Sequence, residues 1–274
     1  MKKNWSIIVL IVLGVLGLSL LLYPTFSDWW NSFHQSKAIA AYTDAVDELS
    51  NEEATRMYEE AKAYNEALLS KTDRWEMTDE EYQKYESILD VTGTGIMGYV
   101  EIPSVDISLP IYHGLSEEVL QIGVGHIEGS SFPIGGRSTH CVLSSHRGLP
   151  SAKLFTDIDQ MVEGDIFFLH TLGNTLTYQV DQIRIVLPEE LNELKIESDK
   201  DYCTLVTCTP YGINSHRLLV RGHRIPTSKA NAVIVSEANQ INPLLVSVFV
   251  GVILLIIYSV IAVIVKRKII NRFR

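Results

Sequence analysis

The sequence predicts a mainly β protein: one β barrel of roughly 130 residues behind a helical arm, flanked by two membrane-spanning helices. Three observations predict it. Uncharged apolar runs lie near both ends of the chain, from Asn4 to Ser27 and from Ala238 to Val265. An Ala- and Glu-rich stretch follows the first run, with apolar residues at the three-to-four spacing of a helix. From Gly98 onward, short runs of Val, Ile, Leu, Phe and Thr are broken by Pro, Gly and Asn at close intervals, the texture of strands and turns.

In the first run, SIIVLIVLGVLGLSLLLY (Ser6 to Tyr23) is long enough as a helix to cross about 30 Å of hydrocarbon. So is the core of the second, which begins at Pro243. Lys2 and Lys3 precede the first span, and Lys266, Arg267, Lys268, Arg272 and Arg274 follow the second. Basic flanks of this kind put both termini in the cytoplasm and everything between them outside the cell membrane. The expected division is therefore a transmembrane segment over 1–27, an extracellular arm over 28–97, the β barrel over 98–228, a linker over 229–242, a second transmembrane helix over 243–265 and a basic cytoplasmic tail over 266–274. A cleaved signal peptide is the alternative reading of the first run. It requires small residues where PTFSDWW is bulky, and Tyr23, Trp29 and Trp30 suit an interfacial aromatic belt instead.

All 33 acidic residues lie between Asp28 and Glu237, with only 16 basic residues among them, so the exported part carries a formal charge of −17. Nucleic acid and anionic lipid surfaces are poor partners for such a field. The 3 cysteines, an odd number, do not make a disulfide framework and leave at least one thiol over. The acids are dispersed and no Cys/His spacing resembles a zinc site, so no metal or other cofactor is expected.

Within the arm, Lys37 to Leu69 reads as helix, broken and restarted at SNEE (Ser50 to Glu53), which fits a capping box. TDEE at Thr78 to Glu81 opens a further helix through about Leu89. Between them LLSKTDRWEMT is an exposed loop centred on a Trp. Strands are expected at GYVEIPSV, ISLPIYHG, HCVLSSH, DIFFLHT, LTYQVDQIRIVL, CTLVTCTP and HRLLVRGHRI. TLGNTLTY is expected to be a hairpin turning at Gly173 and Asn174. Short helices are expected at Val119 to Gly123 and Ala152 to Ile158.

The chemistry concentrates in TLVTCTPYGINSHR, Thr204 to Arg217. Cys141 and Cys203 sit inside apolar strands and read as small buried residues. Cys208 ends its strand beside a loop, where a ligand has access, and strand alternation points it away from the side of Cys203. A thiol nucleophile needs a base, and His146 in CVLSSHRGLP ends a strand in the same way. His140 shares its parity but lies about 20 Å away along the strand. The remaining histidines read as structural. Arg217 follows Cys208 by nine residues, so a hairpin returns its permanent charge to the thiol, where oxyanion charge would develop. No Asp is well placed to orient His146, so a Cys-His-Asp triad is not indicated.

The TLVTC strand, the arginine shortly after it and the His of SSHRG together resemble the sortase signature, over about Gly98 to Ile225. The resemblance implies an eight-stranded barrel and a membrane-anchored transpeptidase. In it Cys208 attacks the Thr–Gly bond of an LPxTG-type sorting signal, His146 serves as acid and base, Arg217 steadies the oxyanion or substrate, and an amine resolves the thioacyl enzyme. The second span, the long arm and the short Cys-to-Arg loop resemble the pilus-assembling class C, which implies pilin proteins as substrates and a pilin lysine as acceptor. That class carries a lid with an Asp-Pro-aromatic motif, and the matching place here is Asp73-Arg74-Trp75. By resemblance Asp73 pairs with Arg217 and Trp75 covers Cys208, while Arg74 in place of Pro removes the φ restriction that would stiffen the loop. Two other readings compete: a sortase that anchors proteins to the peptidoglycan precursor, and a membrane-tethered adhesion or scaffold module without catalysis.

Overall fold

Few breakers interrupt the first part of the chain, and in the computed structural model, which describes residues 5–227, it forms a single helix α1, Trp5–Asp47, of 43 residues. The helix does not pause at Ser27, so the apolar run and the start of the arm are one element. Its part from Val12 onward is long and apolar enough to cross a membrane. The expected linker, second span and basic tail lie outside the described residues.

Both capping boxes form. Ser50 Oγ accepts from Glu53 N while the Glu53 carboxylate accepts from Ser50 N, opening α2, Asn51–Leu68. Thr78 and Glu81 do the same for α3, Asp79–Ser87. Each exchange satisfies amide groups that a helix start otherwise leaves unpaired.

Eight strands follow: β1 Ile96–Ile102, β2 Ile107–His113, β3 Val124–His126, β4 Thr139–Ser144, β5 Ile166–Thr171, β6 Asn174–Val186, β7 Asp201–Thr209 and β8 His216–Ile225. They close into a barrel in the order β1-β2-β3-β4-β7-β8-β6-β5, which leaves no open edge. β2–β3 and β4–β7 are parallel, and the other pairs are antiparallel. A short helix α4, Glu117–Ile122, bridges β2 and β3. Val100, Ile102, Leu143, Leu205 and Val220 fill the interior without solvent exposure.

The structure corrects the expected elements at four places. β3 has only 3 residues, too few for an alternation to show. β1 stops at Ile102 because Pro103 opens a 3₁₀ turn to Val105. Residues 152–153 are irregular and 154–157 form a turn leading into a single 3₁₀ turn at Ile158–Gln160, rather than a helix. The β5–β6 loop is Leu172-Gly173, not Gly173-Asn174: both have positive φ, 48° and 73°, as a type I′ turn requires.

The arm is fastened along the barrel by polar side chains of α1. Asp28 accepts from Lys153 N at 2.7 Å and Asn31 donates to Ser151 O at 2.7 Å. Gln35 donates to Ile122 O at 3.0 Å. Tyr42, 2% exposed, donates to Met97 O and accepts from Leu172 N at the hairpin turn. On the outer wall, buried His140 is held at both ring nitrogens: Nδ1–H donates to Lys195 O, and Nε2 shares a hydrogen bond of 2.7 Å with Thr204 Oγ1. Burial disfavours the charged ring and, against the raising effect of the Lys195 carbonyl, pushes its pKa from 6.5 down to about 4.

Two outcomes follow from these contacts. Tyr42→Phe strands two buried backbone groups, so the unfolding free energy of the purified chain, read from urea titrations, should fall by about 1–3 kcal/mol. For His140, the unfolded chain takes up a proton as pH falls below 6.5 while the native state refuses it down to about 4. Stability present above pH 6.5 is therefore lost toward pH 4, by up to about 3 kcal/mol from this one group. Urea titrations across that range should show a flatter pH dependence in His140→Gln.

Candidate active site

Strand pairing brings Cys208 and Arg217 face to face, and His146 follows the end of the strand on the other side of β7. In β7, Cys203 and Leu205 point into the barrel at 0% exposure, so Val206 and Cys208 face outward. β8 returns antiparallel with Arg217 directly opposite Cys208. On the other side β4 runs parallel, with Ser144 beside Val206, and Ser145 N continues the ladder by donating to Val206 O at 3.2 Å. β4 ends at Ser144, and His146 stands two residues further on, as Cys208 stands two residues beyond Val206 on β7. Val186 of β6 completes the row beyond Arg217.

The loops around this row hold one another. His146 O accepts from Phe155 N, and Thr207 Oγ1 donates to Ser145 O at 2.8 Å. Gly148, at φ 77°, leaves space for Tyr211: a Cβ there would stand 2.8 Å from the ring. Arg147, which sequence reasoning passed over, pairs with Asp159 and donates to Thr209 Oγ1, tying the His146 loop to the end of β7. Its contacts join residues 12 and 62 positions apart, a separation that leaves no local signal.

Cys208 is half-buried. The other cysteines, Cys141 and Cys203, are register partners across β4 and β7 inside the barrel. Burial pushes the Cys203 thiol well up. A core site of this kind does not supply a nucleophile. Arg217 donates to Asn214 O and His216 O at 3.3 and 3.2 Å, leaving further guanidinium N–H groups for a ligand.

The Asp73-Arg74-Trp75 segment lies on the same outward face of the sheet. Trp75 packs on the apolar patch of Val142, Val206, Leu219 and Leu194, which starts two residues back from Cys208 on β7. Asp73 does not pair with Arg217. Its carboxylate accepts from Trp75 N at 3.3 Å, an Asx turn, while Arg217 is engaged by backbone carbonyls. Arg74, expected to loosen the loop, fastens it: the guanidinium donates to Gly129 O and Leu194 O and stacks 4.1 Å over the Trp75 ring. Gly129, at φ 79°, admits this contact, since a Cβ there would stand 1.9 Å from Arg74 O.

Gly129→Ala should consequently push the Arg74-Trp75 segment off the barrel. Tryptic cleavage after Arg74, followed by intact mass, should accelerate severalfold; an unchanged rate would show that the segment does not depend on this contact.

A sortase-domain family model matches residues 100–243. The chain is similar to the solved sortase C1 from Streptococcus agalactiae, at 52% identity and a TM-score of 0.68 over 70% of this chain and 100% of that one. It is similar also to a Streptococcus pneumoniae sortase C described with respect to pilin substrate specificity, at 43% identity and TM-score 0.62 over 70% and 97% of the two chains. A Clostridium perfringens sortase C, solved with the C-terminal cell wall sorting motif, gives 45% and 0.62 over 70% and 100%. Curated relatives are more distant: a sortase A of Streptococcus agalactiae is 32% identical over 117 residues, 42% of this chain and 47% of its own length. A sortase D of Bacillus subtilis is 28% identical over 131 residues, 47% and 63% of the two lengths. The match thus spans less than two thirds of these curated relatives. A barrel of this topology, the family match over more than half of the sequence and the structural likeness to class C members together establish that the chain belongs to the sortase family.

Proposed function

We propose that the protein is a membrane-anchored cysteine transpeptidase that cleaves an LPxTG-type sorting signal between Thr and Gly and joins the acyl half to a lysine amine of a pilin subunit. The observation that carries this reading is Cys208 directly opposite Arg217 at the paired ends of β7 and β8, with His146 in the loop that leaves the end of β4, the strand beside β7. The pilin substrate specificity described for the Streptococcus pneumoniae relative, and the sorting motif present with the Clostridium perfringens one, support the substrate class.

The sulfur of Cys208, its proton passed to His146, forms a bond to the threonine carbonyl carbon. Arg217 donates to the oxyanion of the tetrahedral intermediate. As the C–N bond to glycine breaks, His146 returns the proton to the leaving amine. The lysine amine then attacks the thioacyl carbon, His146 takes its proton and passes it to the departing sulfur, and an isopeptide bond remains. Asp73 and Trp75 belong to a lid that a protein substrate displaces, limiting hydrolysis of the thioacyl enzyme. Both termini are cytoplasmic, with a second span after the barrel and the active site outside the cell.

Incubating the full-length protein in detergent with an LPxTG-type peptide and a pilin subunit tests this. Intact mass should show a thioacyl adduct and covalent pilin dimers, both absent in Cys208→Ala and reduced on the order of a hundredfold or more in His146→Ala and Arg217→Ala. Adduct without dimers would transfer the acceptor role to the peptidoglycan precursor. No adduct, even with Asp73→Ala and Trp75→Ala combined, would leave the adhesion or scaffold module standing.

A further inference from the structure

An imidazole that takes a proton from a thiol and gives it to an amine has to keep its ring aimed. Nε2 of His146 is closed off from solvent and makes no hydrogen bond among the described residues. The group that faces it is a carboxylate: Oε1 of Glu117 stands at 3.6 Å. Glu117 is the first residue of α4, and the Gln121 side-chain amide, one turn later, donates to the same Oε1 at 3.0 Å.

The helix that carries this carboxylate is clamped from two sides. Ile122 O accepts from Gln35 of α1 at 3.0 Å, and Gly123 O accepts from Ser145 Oγ at 2.7 Å. Gln35 and Ser145 are both buried, 8% and 3% exposed. The second clamp is the residue immediately before His146. Carboxylate and imidazole are therefore presented to each other by one packed unit, and the arm helix is part of it.

We propose that Glu117 is a positioning residue for His146: its carboxylate holds the Nε2 edge of the ring, so that the other ring nitrogen is presented to Cys208. The proposal rests on the reading of His146 as acid and base of a transpeptidase. The carboxylate is opposite in charge to the imidazolium that forms when Cys208 gives up its proton, so the attraction is greatest in the thiolate form that attacks. Glu117 is 64% exposed and His146 27% exposed, so the carboxylate stays largely solvated and its effect is modest. Pairs of this kind change a rate by about two- to fivefold, and added salt screens them.

The test is single-turnover thioacylation of the full-length protein in detergent by an LPxTG-type peptide, with adduct followed by intact mass against time. Glu117→Gln should lower the maximal rate about two- to fivefold with the half-saturating peptide concentration unchanged. Glu118→Gln, the same charge change one residue along and without a contact to His146, should match the wild type. In high salt the ratio of wild type to Glu117→Gln should approach one. Wild-type rates in Glu117→Gln, an equal loss in Glu118→Gln, or a loss confined to half-saturation would each overturn the proposal. So would normal thioacylation with a slowed amine step, which would make Glu117 an acceptor-recruiting group. A wild-type protein that forms no adduct would instead remove the transpeptidase reading, and the proposal would fall with it.

Discussion

The register of β7 between its two neighbours is the constraint on which the site depends. Side chains alternate along a strand, so a slip of one residue would turn Cys208 into the barrel and Thr209 outward. What prevents the slip is the interior: Cys203 and Leu205 of β7 are wholly buried against Leu143 and Val220 of the adjoining strands, and a slip would exchange them for Thr204 and Val206. The same register sets the lateral order of the outer face. Ser144, Val206 and Leu219 form one row, and Cys208 and Arg217 face each other in the next, with His146 two residues beyond Ser144. An apolar floor and a row of polar, reactive side chains are thus two consequences of one alignment.

The second requirement is that the loops beyond the strand ends keep that alignment, and here α1 contributes. Asp28, Asn31, Gln35 and Tyr42 recur at helical spacing and span about 21 Å of helix. The first two bind the backbone that follows His146, the third binds the end of α4, and the fourth binds β1 and the β5–β6 turn. Each is a side chain satisfying a backbone group that loop structure leaves open. The helix that begins in the apolar run therefore packs as part of the barrel rather than as a tether attached to it.

The strand-end placement of Cys208 opposite Arg217 was legible because strand ends show in sequence. An apolar β-branched run stops, a Gly or Pro loop starts, and a spacing of nine residues fits a hairpin return. The capping boxes were legible because their hydrogen bonds span three residues. β3 was not, since Val124-Gly125-His126 offers too few positions for a period. The hairpin turn was displaced by one residue because Leu172 adopts a positive φ that its side chain does not advertise, sustained by burial and by the bond from its N–H to Tyr42. Glu117 gave no signal toward His146: 29 residues separate them, and only the packing of α4 brings them together.

Arg74 shows how sequence reasoning can invert a physical effect. Proline would restrict the unfolded loop and so lower the entropy lost on ordering it, but it would contribute no donor to hold the loop on the barrel. Arginine leaves the unfolded loop free and instead supplies two hydrogen bonds and a stacking contact in the closed state. Hydrogen bonds of this kind are worth about 1 kcal/mol each net, and a cation over an indole about 0.5–1 kcal/mol at a partly exposed site. Trp75 adds burial on Val142, Val206 and Leu219. Closure built from native contacts rather than from chain stiffness is reversible at modest cost, because a competitor needs only to cover the same apolar patch and release one guanidinium. The lid proposed above, held in this way, would rest on the Val206 side of the site and still give way to a ligand that occupies the face on which it lies.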